Sequence, residues 1–204
     1  MLSFSIWRIT VLKRMLTITC ITAVSIAWAI PASGKKLSPK AENLVAALAQ
    51  LQNTPDDSQA QQRYLAAFPN TYTDFLDLFG FNHELYDGHE YIEVLSRLAK
   101  NNEMTVGRLL VALSKDAHYE ADATSSLQQA TAIYAADHTR HFLDLLQQLS
   151  EPEQRNLITF LADVENHAVY VEYQAIIDHA KSLGDASFVE RLEQARTERS
   201  RQPH

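Results

Sequence analysis

From residue 33 onward the apolar side chains recur every three or four positions, and no stretch alternates apolar with polar as a half-buried strand does. Tyr72, Phe75 and Phe79 share one helical face. Phe142, Leu145 and Leu149 mark a second, and Leu157, Phe160, Leu161, Val164 and Val171 a third. Start and stop signals divide this pattern into elements. Ser38-Pro39 opens a helix over residues 40–51, with proline at the first helical position. Thr54-Pro55-Asp56-Asp57 opens a second, which stops at Phe68-Pro69. Asn70 or Thr71 caps a short third helix ending at Phe79-Gly80. Asp87 with Glu90 makes a capping-box pattern for a fourth, running to about residue 100.

Residues 103–134 read as helix with a bend near 116–118, and another helix covers 137–149. Ser150-Glu151-Pro152-Glu153 is a second capping box, opening a long helix to Leu183-Gly184. Asp185 caps the last helix, 186–197, whose Arg191, Arg196, Arg199 and Arg201 alternate with glutamates as on a solvated face. After residue 34 only Gly80, Gly88, Gly107 and Gly184 interrupt a chain rich in good helix formers. The pattern predicts one compact all-α domain of seven or eight helices over residues 33–199, followed by a tail, 200–204.

The N-terminal segment has a different character. Arg8, Lys13 and Arg14 precede an uncharged run, residues 15–30, and the small or helix-breaking Pro31, Ala32, Ser33 and Gly34 follow. That order reads as a secretory signal peptide over residues 1–32, cleaved after Ala29 or Ala32. Sixteen residues fall short of the roughly 20 that span a bilayer. The alternative is a retained N-terminal anchor, with Lys35 and Lys36 just beyond the run. Export places the domain in the periplasm or outside the cell.

Loss of that segment sharpens the charge. It holds three of the 18 Lys/Arg and no acid, leaving 15 bases against 25 acids, a net charge of −10. So acidic a domain is repelled by nucleic acid and by anionic lipid head groups, and it suits a basic protein partner or a cation. Cys20, Trp7 and Trp28 all lie in the leader. The exported domain therefore depends on its core rather than on disulfides.

No phosphate-binding glycine loop, His-Glu-x-x-His, Gly-x-Ser-x-Gly, paired cysteine or EF-hand loop occurs, so nothing proposes a nucleophile. Polar residues on apolar faces remain. His138 and His141 project within the face of Phe142 and Leu145, and His167 lies on the stripe of Leu157 and Phe160. Glu120 lies on the stripe of Leu109, Leu113 and Leu127. Inward imidazoles and carboxylates on neighbouring helices are how bundles hold a transition metal such as Zn, Cu, Ni or Fe. The competing reading is a buried polar cluster satisfied by tyrosines and backbone carbonyls, with no cofactor. Acid–base chemistry by Glu120 with His138 is a third. A second acidic/His cluster, His83, Glu84, Asp87, His89 and Glu90, reads chiefly as a capping loop.

Eight of the 15 Phe/Tyr beyond the leader fall within residues 64–91, so this segment either anchors the core or presents a recognition surface. Tyr72, Phe75, Phe79, Phe81 and Tyr86 are the candidate partner-binding residues, rimmed by Asp74, Asp77, Glu84 and Asp87. The leading expectation is an exported helical protein-binding domain without catalytic activity, in the manner of an envelope adaptor or a toxin-neutralising immunity protein. A metal-binding bundle is the alternative.

Overall fold

Capping chemistry sets most of the helix starts. In the computed structural model, helix α1 (Pro39–Asn53) begins where the Ser38 hydroxyl accepts a hydrogen bond from the Ala41 amide, and it buries Ala41, Leu44, Leu48 and Leu51. Helix α2 (Ser58–Ala67) is capped by Asp57, and α3 (Tyr72–Phe79) by Thr71. The structure describes residues 37–86, 88–118, 122–163 and 170–201, all within the unit Lys36–His204. The leader, Asp87, Glu120, His167 and residues 202–204 lie outside the described residues.

Helix α4 (His89–Ser114) starts after Gly88 without a side-chain cap and bends once. Asn102 leaves helical geometry at φ −132° and ψ 39°, so the break expected between residues 100 and 103 is a kink inside one element. The Asn102 amide donates to Gln61 Oε1 at 2.8 Å, and its carbonyl oxygen accepts from Gln62 at 3.0 Å, tying the kink to α2. Helix α5 (Asp122–Asp137) follows the turn at Lys115 and Asp116, where the sequence predicts a bend. His138, at φ −125° and ψ 43°, then separates α5 from α6 (Thr139–Gln147) and is the N-cap of α6 rather than part of the helix.

Helix α7 (Glu151–Ala162) carries the capping box of Ser150 and Glu153. It is not continuous with α8 (Tyr170–Ser182), which corrects the expectation of one helix to Gly184. The reason lies in tertiary partners that the local pattern does not reveal. Asp163 turns out of the helix at ψ 77°, the Gln128 side chain donates to the carbonyls of Phe160 and Asp163, and Arg199 takes the Asp163 carboxylate. Nine helices are thus found among the described residues, where the sequence predicts seven or eight.

Helix α9 (Ala186–Ser200), capped by Asp185, is not the purely solvated face that its charges suggest. Arg191 donates to Gln154 on α7, and Arg196 lies 5.4 and 5.1 Å over the rings of Tyr170 and Tyr173 on α8. Helix α4 packs mainly along α5, α1 on α2, α7 on α9, and α8 on α5. The phenols of three wholly buried tyrosines all find partners, Tyr64 on the Tyr91 carbonyl, Tyr173 on the Leu192 carbonyl and Tyr134 on His141. Among the described residues, no helix is long and apolar enough to cross a membrane.

Candidate functional site

The aromatic segment divides into two populations. Phe75 and Phe79 are wholly buried and meet edge-on at 5.1 Å, with Phe79 also against Phe68 and Tyr91. Tyr72 is buried too, its hydroxyl donating to the His118 carbonyl and lying 3.1 Å from Thr124 Oγ1. These three candidates hold α3 in the core, because an eight-residue helix needs large side chains to fix it. Phe81 and Tyr86 behave differently: they are 69% and 46% exposed.

Both exposed rings stand on the loop between α3 and α4, and the loop is fastened from beneath. The Leu85 amide donates to the Leu78 carbonyl at 3.0 Å. Both carboxylate oxygens of Glu84 accept from the Ser38 amide at 2.9 Å, and one also accepts from the Ser38 hydroxyl at 2.7 Å. Gly88 lets the loop close on the core, since a Cβ there would fall 2.4 Å from the Phe79 ring. Asn82 takes a left-handed φ of 63°, which asparagine tolerates better than most residues. On this support the Phe81 and Tyr86 rings pack edge to face, with centroids 5.8 Å apart and planes at 87°.

The charged residues of α3, Asp74 and Asp77, are both acidic. Lys40 on α1 bonds Asp74 on α3 at 2.6 Å, which holds the Asp74 carboxyl below its ordinary value. The hydrogen bond and charge of Asp74, with a further contribution from Asp77, hold the Lys40 ammonium above its own. Asp77 is exposed.

The histidines predicted as metal ligands meet a residue that the sequence did not single out. Beyond the Asn102 kink, Glu103 Oε1 lies 3.3 Å from His138 Nδ1 and 3.6 Å from His141 Nδ1. The Tyr134 hydroxyl bonds the same His141 nitrogen. Burial, and then the Glu103 charge, push the Tyr134 phenol well above its ordinary pKa, so it stays protonated. His141 Nε2 is buried without a hydrogen-bond partner. Glu120 and His167 lie outside the described residues. Among the described residues, no group of three or more His, Cys, Asp or Glu is arranged to hold a metal ion. Glu103, His138, His141 and Tyr134 thus form a clasp joining α4, α5 and α6.

One further pairing escaped the sequence reading. His89 Nδ1 lies 2.8 Å from Ser126 Oγ along a groove of about 250 Å³ between α4 and α5. Ser126 lies in the second turn of α5, and His89 opens α4. The pair is a hydrogen bond at the surface that links the two helices.

Comparison with family models finds no match to this chain, and comparison with curated proteins and with solved structures finds none either.

Proposed function

We propose that this chain is an exported helical recognition domain that binds a protein partner through the Phe81–Tyr86 loop and performs no chemistry of its own. The observation that carries the reading is the exposure of two large aromatic rings on a loop held in place by Glu84 and Leu85. Phe and Tyr on a preorganised support supply contact area at low entropic cost, which is what interface hot spots require. The N-terminal segment supports export, and a net charge of −10 after its removal supports a basic partner. An envelope adaptor or a toxin-neutralising immunity protein would have this form.

The test is a photo-crosslinking phenylalanine analogue placed at position 81 of the full chain in its native host, with a second chain carrying it at Val171, which is 74% exposed on α8. A discrete adduct from position 81 that disappears with Tyr86→Ala, and no matching adduct from position 171, is the expected result. Identical patterns from both positions, or no adduct from 81, would sink the reading.

A further inference from the structure

Helices α7 and α9 run side by side in the same direction. Arg191 donates to Gln154 Oε1 at 3.0 Å, and further along both helices Arg199 holds Asp163. The two N-termini therefore lie toward one end of the groove between them and the two C-termini toward the other. The groove has a volume of about 480 Å³, within the range of small-ligand sites, and buried Ile158 and Ala195 give it an apolar floor. We propose that it binds a short peptide with free termini, about three residues long, independently of the Phe81–Tyr86 loop.

Four charged residues line the groove, and two of them neutralise each other: Arg155 pairs with Glu151 at 3.3 Å. The other two meet neutral groups. Arg191 bonds the Gln154 amide, and Glu198 accepts from the Gln194 amide at 2.9 Å. Among the described residues neither Arg191 nor Glu198 has an ion-pair partner. The helix from Arg191 to Glu198 rises about 10 Å, which is the span of three residues of extended chain. Arg191 stands beside the first turn of α7, where the helix dipole attracts an anion. Glu198 lies in the last turn of α9, where the dipole attracts a cation. A ligand of one sign gains at one of these groups and is repelled at the other. A peptide with its carboxylate at Arg191 and its ammonium at Glu198 satisfies both. Thr159 and Gln194 also line the groove and supply hydrogen-bonding groups for the main chain of the peptide.

Trialanine with free ends, N-acetyl-trialanine, trialanine amide, free alanine and inorganic phosphate test this against the full-length chain. The readout is the backbone amide resonances of Thr159 and Ala195 in an NMR titration. Trialanine should shift both saturably, and blocking either end should weaken it about three- to tenfold. Glu198→Gln should weaken trialanine by a similar factor and leave N-acetyl-trialanine unchanged, since that peptide brings no ammonium. Arg191→Gln should weaken trialanine and leave trialanine amide unchanged. A variant that failed to fold would lose every peptide, so this matching of variant to blocked end reports the contacts themselves. Equal binding of blocked and free peptides would overturn the proposal, and so would the absence of any shift with trialanine. Alanine or phosphate binding as tightly as trialanine would overturn it too, because a single charge would then suffice.

Discussion

Gly107 on α4 lies so close to Tyr134 on α5 that a Cβ built on the glycine would fall 2.1 Å from the phenolic oxygen and 2.4 Å from the ring carbon bearing it. The two helices pack more extensively than any other pair among the described residues, and this is where their backbones leave room for a whole tyrosine. The room serves the clasp: the Tyr134 hydroxyl that occupies it bonds His141, which with His138 faces Glu103.

Gly107→Ala should therefore destabilise the fold although alanine is the better helix former by about 1 kcal/mol. Overpacking costs about 1–3 kcal/mol where the neighbours are rigid, and Tyr134 is wholly buried. Urea unfolding of the variant checks this, and an unchanged or raised midpoint would show that Tyr134 moves aside freely. In the double variant Gly107→Ala/Tyr134→Ala the penalty should be smaller than the sum of the single ones, because the clash is then gone.

Local signals in the sequence went far toward the fold, and their failures share one cause. Ser38, Asp57, Thr71, Ser150 and Asp185 mark helix starts through bonds made within a few residues, so their chemistry is visible in the chain. The end of α7 is set by Gln128 and Arg199, which lie 35 and 36 residues from Asp163. No periodicity reports such partners. The same holds for the site: helical spacing groups Tyr72, Phe75 and Phe79 on one face, but only the neighbours of that face decide between core and surface. Phe81 and Tyr86, bounded by Gly80 and Gly88 and outside the helical period, carried the better signal of exposure.

Acid should weaken the α4–α7 contact in a defined window. The hydrogen bond from Lys115, followed by those from Ser150, lowers the Glu153 carboxyl from an ordinary 4.5 to about 2. A depressed folded value contributes stability that is complete above about pH 4.5 and is lost as the pH falls toward 2. Glu153→Gln should be less stable than the native chain at neutral pH, with the gap narrowing through that window. Denaturant midpoints of both chains from pH 7 to pH 2 supply the measurement, and a gap independent of pH would contradict the assignment.

Arg199→Ala should cost about 2–4 kcal/mol, since it takes the arginine from Asp163, a carboxylate whose side chain is only 7% exposed. Much of that cost is the charge left behind rather than the pair itself. Asp163→Asn in the Arg199→Ala background should therefore recover stability, which calorimetry of the two single variants and the double can measure. If the double variant is as unstable as the sum, the two residues act independently and Arg199 holds α9 through other contacts.

Phe79 and Phe81 are two residues apart and should respond oppositely to truncation. Phe79 is wholly buried against Phe68, Phe75 and Tyr91, so Phe79→Ala should cost about 3–5 kcal/mol. Phe81 packs on Tyr86 in solvent, and Phe81→Ala should stay within about 0.5 kcal/mol of the native chain. The contrast matters because loss of binding in a variant means little when the fold is lost with it. A Phe81→Ala chain with native melting and native circular dichroism isolates the contribution of the ring to recognition. If it instead unfolds several degrees early, the exposed pair is a clamp on the loop, and the partner surface must lie elsewhere. The three bonds between Glu84 and Ser38, together with the Leu85–Leu78 bond, already hold the loop from the other side, which is why the native-like outcome is expected.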